Sequence, residues 1–310
     1  MLKQALLYSL LFGFFIGSTT VNAEKLTLSD ITVKKLNGQS EKLGKVLSNK
    51  PVYLKFWATW CQPCREQMPH LQQTFDRYGK KIDIVSINLG VNDSLADVIK
   101  TKNEFKLTLP IFIDETAKLS QTVDLIATPY HVLIDSKGRI VHKGHKASVE
   151  LDSKIKKLAD NNQQVLAVTP ENNSINPLVL DTNVSQPTLL FFASTWCDWY
   201  LEKSRPQMSA NCVNAQNVIN NLYNKYPHMN WHGILTRLWT GQKELDDYRK
   251  KYSIQHPLSI DSKNEVFLKY RVKKFPTLIA IKGDREIFRL DDFSDSARAS
   301  KMLLQLENNY

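Results

Sequence analysis

The most informative segment of this 310-residue chain is Phe56-Trp57-Ala58-Thr59-Trp60-Cys61-Gln62-Pro63-Cys64. An apolar run with strand character leads into it from Val52, and apolar residues at helical spacing follow it as far as Tyr78. The two cysteines therefore lie where a strand passes into the N-terminus of a helix. Backbone N–H groups and the helix dipole stabilise a thiolate at such an end. We expect Cys61 to be an exposed nucleophile and Cys64 to be the buried thiol that closes the disulfide.

Two other roles for this cysteine pair have to be weighed. A zinc site would need a second cysteine pair at ligand spacing, and the sequence contains none. An inert structural bridge is the other alternative, but such bridges seldom follow a tryptophan at a strand-to-helix junction. The pattern favours redox chemistry.

The motif Phe-Trp-Ala-Thr-Trp-Cys-x-Pro-Cys resembles the thioredoxin superfamily, and specifically the TlpA/ResA-like thiol-disulfide oxidoreductases of bacterial envelopes. The resemblance implies a thioredoxin-like enzyme that uses no cofactor, exchanges disulfides with envelope proteins and is recharged by a membrane electron donor. The dipeptide Gln62-Pro63 is similar to those of reducing family members, so a reductase is favoured over an oxidase. The resemblance extends over nearly the whole mature chain.

Composition and charge exclude some other classes of partner. Apolar residues make up 42% of the chain and charged residues 23%, as in soluble globular proteins. The formal net charge is +10, but the lysines are scattered and no basic stripe is interleaved with aromatic residues. A solvated basic surface therefore explains the charge better than nucleic-acid binding. We expect neither nucleic acid nor a metal ion as a partner.

The N-terminus has the features of a secretory signal peptide. Lys3 precedes an apolar run from Ala5 to Gly17, and small residues stand at Val21 and Ala23. The apolar run is shorter than the ~20 residues that span a bilayer. We predict a signal peptide over residues 1–23 and export to the periplasm; an uncleaved anchor at the outer face of the membrane is the alternative. Such a compartment permits disulfides.

The residues after the signal alternate between strand-like and helix-like runs in the order β-α-β-α-β-β-α. This order fits a thioredoxin-like α/β domain over residues 24–160, with a central mixed sheet flanked by helices. Thr128-Pro129 lies where the family places its cis-proline. A proline that enters a strand has no N–H for the sheet. A cis bond here would expose backbone beside Cys61 and let a substrate chain pair with it.

Lys55 departs from the family pattern. In thioredoxin itself, the residue six positions before the first cysteine is a buried acid that takes part in proton transfer. A cation at this place would lower the pKa of Cys61 and Cys64 by stabilising their thiolates. Alternatively, the Lys55 side chain extends to solvent and has no such influence. The sequence leaves both alternatives open.

The second part of the chain repeats the first. The segment Phe192-Ala193-Ser194-Thr195-Trp196-Cys197 corresponds to Phe56–Cys61. Residues from Cys64 onward align without gaps on those from Cys212 at an offset of 148, and later residues align at 147. The sequence therefore predicts two tandem thioredoxin-like domains, with a linker at 161–175 and the second domain at 176–310. Phe275-Pro276 stands at the second cis-proline position.

The second site is expanded relative to the first. Cys61 and Cys197 are 136 positions apart, whereas Cys64 and Cys212 are 148 apart, so twelve residues are inserted and the spacing becomes Cys-x14-Cys. Ser209 is the predicted N-cap of a helix that starts near Cys212. Four cysteines allow three pairings. Our hypothesis is that Cys197 and Cys212 form a second disulfide. It is either redox-active or a structural staple worth ~3 kcal/mol.

The resemblance and the repeat together name the candidate site residues. The catalytic candidates are Cys61, Cys64, Cys197 and Cys212. The substrate-binding candidates are Trp60, Thr128, Pro129, Trp196, Phe275 and Pro276.

Other functions remain open beside the two-centre reductase. The second domain could be chemically silent and recruit clients, with only the first domain reacting. Thioredoxin-fold copper-delivery proteins combine a cysteine pair with a histidine, for which His131, His142 and His145 are candidates by position. A peroxide-reducing cysteine would need different surroundings from Trp-Cys-x-Pro-Cys.

Overall fold

The computed structural model describes residues 28–161, 165–168, 177–181, 186–283 and 285–309. We refer to residues 28–161 as the first half and residues 186–309 as the second half. The predicted signal peptide 1–23 and most of the predicted linker 161–175 lie outside the described residues, so both stay predictions. No helix in the described part of the chain combines the length and the apolar character needed to cross a lipid bilayer.

The first half contains a seven-stranded mixed sheet in the order β2-β1-β5-β4-β3-β6-β7. Strands β3, β4 and β5 are parallel, and the other neighbouring pairs are antiparallel. Its strands are β1 (Thr32–Lys35), β2 (Ser40–Lys42), β3 (Val52–Trp57), β4 (Asp83–Asn88), β5 (Ile111–Ile113), β6 (Tyr130–Ile134) and β7 (Ile140–Gly144). The central strand β3 is buried along its whole length, as expected for a strand covered on both faces.

The second half contains a five-stranded mixed sheet in the order β10-β9-β8-β11-β12. Its strands are β8 (Thr188–Ala193), β9 (Asn230–Thr236), β10 (Leu258–Asp261), β11 (Thr277–Lys282) and β12 (Arg285–Leu290). Strands β8, β9 and β10 are parallel, whereas β11 and β12 are antiparallel to their neighbours. Order and directions thus match the five strands β5-β4-β3-β6-β7 of the first half. The predicted α/β class, with two mixed sheets flanked by helices, is confirmed.

Ten α-helices occur among the described residues, together with a short 3-10 helix at Leu43–Lys45. They are α1 (Gln62–Glu66), α2 (Met68–Tyr78), α3 (Leu95–Glu104), α4 (Lys118–Thr122), α5 (Val149–Ala159), α6 (Cys197–Tyr200), α7 (Pro206–Lys225), α8 (Gln242–Tyr252), α9 (Glu265–Lys269) and α10 (Ser296–Asn309). The predicted helix after Cys61 is divided into α1 and α2. Pro69, near the start of α2, lacks the N–H that would continue the α1 ladder.

Unusual backbone conformations recur at the offset predicted for the repeat. Four pairs of non-glycine residues, each separated by 147 positions, have φ near +50 to +60° in both halves. These pairs are Asn92 and Trp239, Lys106 and Ser253, Ala117 and Asn264, and Asp124 and Arg271. Because a non-glycine residue with positive φ is uncommon, their coincidence shows that the two halves share local backbone geometry as well as strand order.

The two halves share one hydrophobic core. On β8, Leu190 and Phe192 belong to a buried cluster that also contains Trp60 and both cysteines of the first half. Their neighbours Leu189 and Phe191 belong to a second cluster confined to the second half. Side chains alternate between the faces of a strand, so one face of the second sheet faces its own helices and the other packs into the shared core.

Candidate active site

The first cysteine pair lies at the junction that the sequence predicts. Cys61 immediately precedes α1 and Cys64 lies within it; the two form a disulfide with their Cα atoms 5.2 Å apart. Pro63 occupies the first turn of α1, where its missing N–H leaves no intrahelical bond unmade. Cys64 is fully buried as predicted.

The expectation that Cys61 is exposed is wrong, because its side chain is also fully buried. The second half covers the loop on both sides of this cysteine. The indole of Trp60 stacks on that of Trp196, and the backbone N–H of Gln62 donates to the Tyr200 hydroxyl over 3.1 Å. The prediction considered only the strand-to-helix junction of the first half and did not include the residues of the second half that cover it.

Both predicted proline loops contain cis peptide bonds, at Thr128-Pro129 and at Phe275-Pro276. The Nδ1–H of His145 donates to the carbonyl of Pro129 over 2.9 Å. The loops lie in the shared core or against it, since Thr128 and Phe275 are buried. A substrate-binding role for these loops stays a prediction.

The two cysteines of the second pair also lie close together in the structure. Cys197 is the first residue of α6, Cys212 lies in α7, and their Cα atoms are 6.2 Å apart, within the usual range for a disulfide. The predicted N-cap Ser209 is wrong, because α7 already begins at Pro206, a residue that the first turn accepts. The Ser209 hydroxyl instead donates to the carbonyl of Asp198 and ties α7 to α6.

Four aromatic side chains, Trp60, Trp196, Tyr200 and Trp239, form what we call the aromatic cluster. The ring centroids of Trp60 and Trp196 are 4.8 Å apart, and Trp239 meets both tryptophans edge-on at 5.6 and 5.1 Å. Trp60 Nε1 donates to the Val91 carbonyl over 2.9 Å, and Trp196 Nε1 donates to the Leu238 carbonyl over 2.7 Å. Trp60, which precedes Cys61, is therefore held by the loop after β4, and Trp196, which precedes Cys197, is held by the loop after β9. The two cysteine loops consequently lie against each other.

Backbone hydrogen bonds join the halves with approximate two-fold symmetry. The N–H of Asn92 donates to the carbonyl of Lys273, and the N–H of Trp239 donates to the carbonyl of Ile126, both over 2.8 Å. Donors and acceptors are each 147 positions apart. Such a reciprocal arrangement is that of an isologous contact between identical subunits. Both acceptors lie three residues before a cis-proline.

An arginine from the insertion adds a contact without a counterpart in the other half. The guanidinium of Arg205 donates to the Asn92 carbonyl over 2.8 Å, to the Thr59 hydroxyl, and to Asp93 Oδ1 over 3.2 Å. The Asp93 side chain is completely buried and also accepts from the Thr59 N–H and from Asn88 Nδ2, each over 2.8 Å. Burial raises the pKa of Asp93, and these hydrogen bonds together with the Arg205 charge oppose the rise.

Lys55 is buried in a polar network, so the alternative in which it extends to solvent is wrong. Its amine donates to Gln67 Oε1 and lies 3.3 Å from His131 Nε2. His131 Nε2–H donates to the same oxygen over 3.0 Å, so Nδ1 accepts from the Tyr53 hydroxyl over 2.6 Å. Burial holds the pKa of Lys55 well below its usual 10.5 and lowers the pKa of His131 to about 2. Burial therefore disfavours the charged ammonium form at this position.

The candidate metal ligands fall into separate environments. His131 belongs to the buried network, whereas His145 donates to the Pro129 carbonyl, and His142 Nδ1 lies 3.9 Å from Glu150. Across the described ranges, no group of three or more His, Cys, Asp or Glu side chains lies close enough together to hold a metal ion.

A cavity of about 610 Å³ lies between the halves, beside the proline loop of the second half. Its walls include equivalent positions of the two halves, such as Val91 and Leu238, and it extends to Phe275. This space is partly open to solvent, so it is a cleft between the halves.

Four residues of this site were not identified from the sequence: Asn92, Asp93, Arg205 and Trp239. Tyr200 and Arg205 lie in the insertion, whose aromatic content and position between the cysteines are a usable signal. Trp239 aligns with Asn92 at the offset of 147, but neither local pattern indicates a contact between the halves.

Several known proteins are similar to the first half of the chain. Residues 26–143 match the AhpC/TSA family. The thiol-disulfide oxidoreductase ResA of Geobacillus thermodenitrificans (strain NG80-2) is 32% identical over 141 residues, which are 45% of this chain and 79% of that protein. The thioredoxin-like protein YneN of Bacillus subtilis (strain 168) is 31% identical over 129 residues, 41% of this chain and 75% of that protein. StoA from Bacillus subtilis, a solved structure, has 24% identity and a TM-score of 0.36, covering 42% of this chain and 98% of its own.

The chain therefore belongs to the TlpA/ResA-like family of thioredoxin-like proteins. It is a thiol-disulfide oxidoreductase, with the cysteine pair at the strand-to-helix junction in the matched region.

Proposed function

We propose that the protein is an exported reductase of disulfides in envelope proteins. The observation that carries this proposal is the Cys61–Cys64 disulfide at the start of α1. The signal-like residues 1–23 support export to the periplasm, and Gln62-Pro63 supports the reducing direction.

The reaction follows from the two thiols of the reduced pair. The Cys61 thiolate attacks one sulfur of a client disulfide, forms a mixed disulfide and releases the other client sulfur as a thiolate. The Cys64 thiolate then attacks the Cys61 sulfur, releases the second client thiol and leaves the Cys61–Cys64 disulfide. The client gains two electrons and two protons. A membrane dithiol donor then supplies two electrons and two protons to the Cys61–Cys64 disulfide and restores the two thiols.

The second pair, Cys197–Cys212, is proposed as a second redox centre that exchanges with the first. The stacking of Trp60 on Trp196, each adjacent to the first cysteine of its pair, supports this exchange. A Cys197/Cys212 dithiol would reduce the Cys61–Cys64 disulfide and become a disulfide itself, so electrons are conserved. In the second candidate function, the second half only docks clients. The second half covers Cys61, and this position favours a docking role.

Thiol trapping over a glutathione redox titration distinguishes these functions. We expect both pairs of the mature protein to titrate, with separate midpoints, and each pair to titrate in a variant that lacks the other, Cys61→Ser/Cys64→Ser or Cys197→Ser/Cys212→Ser. If the Cys197–Cys212 bond resisted reduction over the whole titration, docking of clients would be the function of the second half. If Cys61 and Cys64 were found oxidised in cells, the reducing direction would be wrong.

A trapping variant identifies the clients. Cys64→Ser retains the attacking thiol but removes the resolving one, so mixed disulfides with Cys61 accumulate. We expect envelope proteins in these adducts. The matched variant Cys61→Ser should trap none of them through the first site.

A further inference from the structure

In each half, the segment just before the cis-proline is hydrogen-bonded to the backbone of the other half. The carbonyl of Ile126, three residues before the first cis-proline, accepts from the backbone of Trp239 over 2.8 Å. Lys273 is its equivalent before the second cis-proline, and it accepts from Asn92 at the same distance. The polypeptide of one half is thus hydrogen-bonded to the loop predicted to bind substrate in the other.

The insertion supplies the side chains that cover the first cysteine site. Tyr200 accepts the Gln62 N–H beside Cys61, and its ring meets the Trp60 indole edge-on with centroids 6.5 Å apart. Arg205 bonds to the Thr59 hydroxyl two residues before Cys61 and pairs with Asp93. An aromatic residue and an arginine therefore lie against the first site, five positions apart in the chain.

The surface under Arg205 is acidic although the protein as a whole is basic. Asp93 Oδ1 is 3.2 Å from the guanidinium, and Asp97 Oδ2 is 3.9 Å from it. Withdrawal of the second half would leave the Asp93 carboxylate without this cation. Its hydrogen bonds from Thr59 and Asn88 lie within the first half and would hold the carboxylate in place, so this carboxylate and that of Asp97 would favour an incoming cation in place of Arg205.

We propose that the surface formed by Thr59, Trp60, Asp93 and Asp97 is the client-binding surface of the first half, and that the inserted segment Asp198–Asn211 is its internal occupant. The clients are then disulfide-bearing segments that present an aromatic residue and an arginine. This inference rests on the proposed reductase function and adds the chemistry by which clients are recognised.

Disulfide peptides with matched sequences test this recognition. The probes are peptides closed by one disulfide, with a fluorophore and a quencher, in which tyrosine and arginine flank the cysteines; in the control peptide, glutamate replaces arginine. The mature protein is reduced, freed of reductant and mixed with each peptide. We expect the arginine peptide to react about tenfold faster, as for a hydrogen bond to a charged group. In Arg205→Ala, both peptides should react faster than with the unchanged protein, with the preference retained.

Variants of the acidic surface complete the test. Asp93→Asn should bring the ratio of the two rates close to one. Since Asp93 is buried and its replacement risks the fold, Asp97→Asn and a rise in salt concentration are used as well, and each should reduce the ratio. A ratio near one in the unchanged protein and in Arg205→Ala would overturn this inference alone. So would a preference that none of the three changes reduces. Failure of both peptides to be reduced would overturn the reductase proposal itself, and this inference with it.

Discussion

Replacing Arg205 by alanine is expected to expose the reduced Cys61 thiol to alkylation. Arg205 joins the halves through the Asn92 carbonyl, the Thr59 hydroxyl and the Asp93 carboxylate, and these contacts exist only while the halves are packed together. Its side chain is 22% exposed and that of Asp93 is fully buried, so solvent screens the pair little. Losing these contacts therefore destabilises the arrangement in which the two halves are packed together and Cys61 is covered.

The size of the effect follows from these contacts. A hydrogen bond to a charged group contributes about 1.5–3 kcal/mol. Each 1.4 kcal/mol changes an equilibrium about tenfold. If Cys61 reacts through transient separation of the halves, its alkylation rate follows the separated fraction. The rate should therefore rise by about 10- to 150-fold in Arg205→Ala.

The measurement is a time course of iodoacetamide labelling of the reduced protein, with the peptide containing Cys61 quantified by mass spectrometry. Arg237→Ala is the matched control, because Arg237 pairs with Asp124 across the same contact over 2.8 Å, but the Asp124 side chain is 60% exposed. An exposed pair contributes about 0–1 kcal/mol, so labelling should rise fivefold at most. Equal labelling of Cys61 in Arg205→Ala and in the unchanged protein would refute the closed site.

Two further predictions concern buried charges. Lys55→Met should raise the free energy of unfolding at pH 7 by about 1 kcal/mol or more, because it removes a buried amine whose described contacts, Gln67 and His131, include no carboxylate. Burial lowers the Lys55 pKa below its unfolded 10.5, so the stability of the unchanged protein rises with pH and the advantage of methionine disappears above pH 10.5. Urea unfolding of the oxidised protein at pH 7 and above pH 10.5 checks this. No gain in stability at pH 7 would contradict it. Asp261→Ala should cost about 2–4 kcal/mol, because its carboxylate accepts three backbone N–H groups at the start of α9. The same unfolding assay measures it, and Asp114→Ala, the equivalent change at α4 in the first half, should also destabilise the protein. A cost below about 0.5 kcal/mol for Asp261→Ala would disprove the capping role.

Local sequence patterns were sufficient to predict most of the fold. Strand β3 and the cysteine helix follow from apolar periodicity, which acts over a few residues. The second half followed from the repeat, and its insertion from the unequal cysteine spacings. The burial of Cys61 was not predicted because it depends on a surface about 140 positions away in the chain. Lys55 was left open for a similar reason, since its partner His131 comes from another strand.

The insertion explains why the contact between the two halves is not symmetrical. The backbone bonds of Asn92 and Trp239 are related by the repeat and would join two identical domains in the same way. In the second half, fourteen residues separate the cysteines, and Tyr200 and Arg205 lie among them and reach the other site; in the first half, Gln62-Pro63 are the only residues between the cysteines. The longer loop therefore covers the shorter one, and not the reverse. Opening the contact would release Cys61 from contacts made by the other half's insertion, whereas Cys197 remains next to its own. This asymmetry supports a division of labour in which the first pair meets clients and the second half controls access to it.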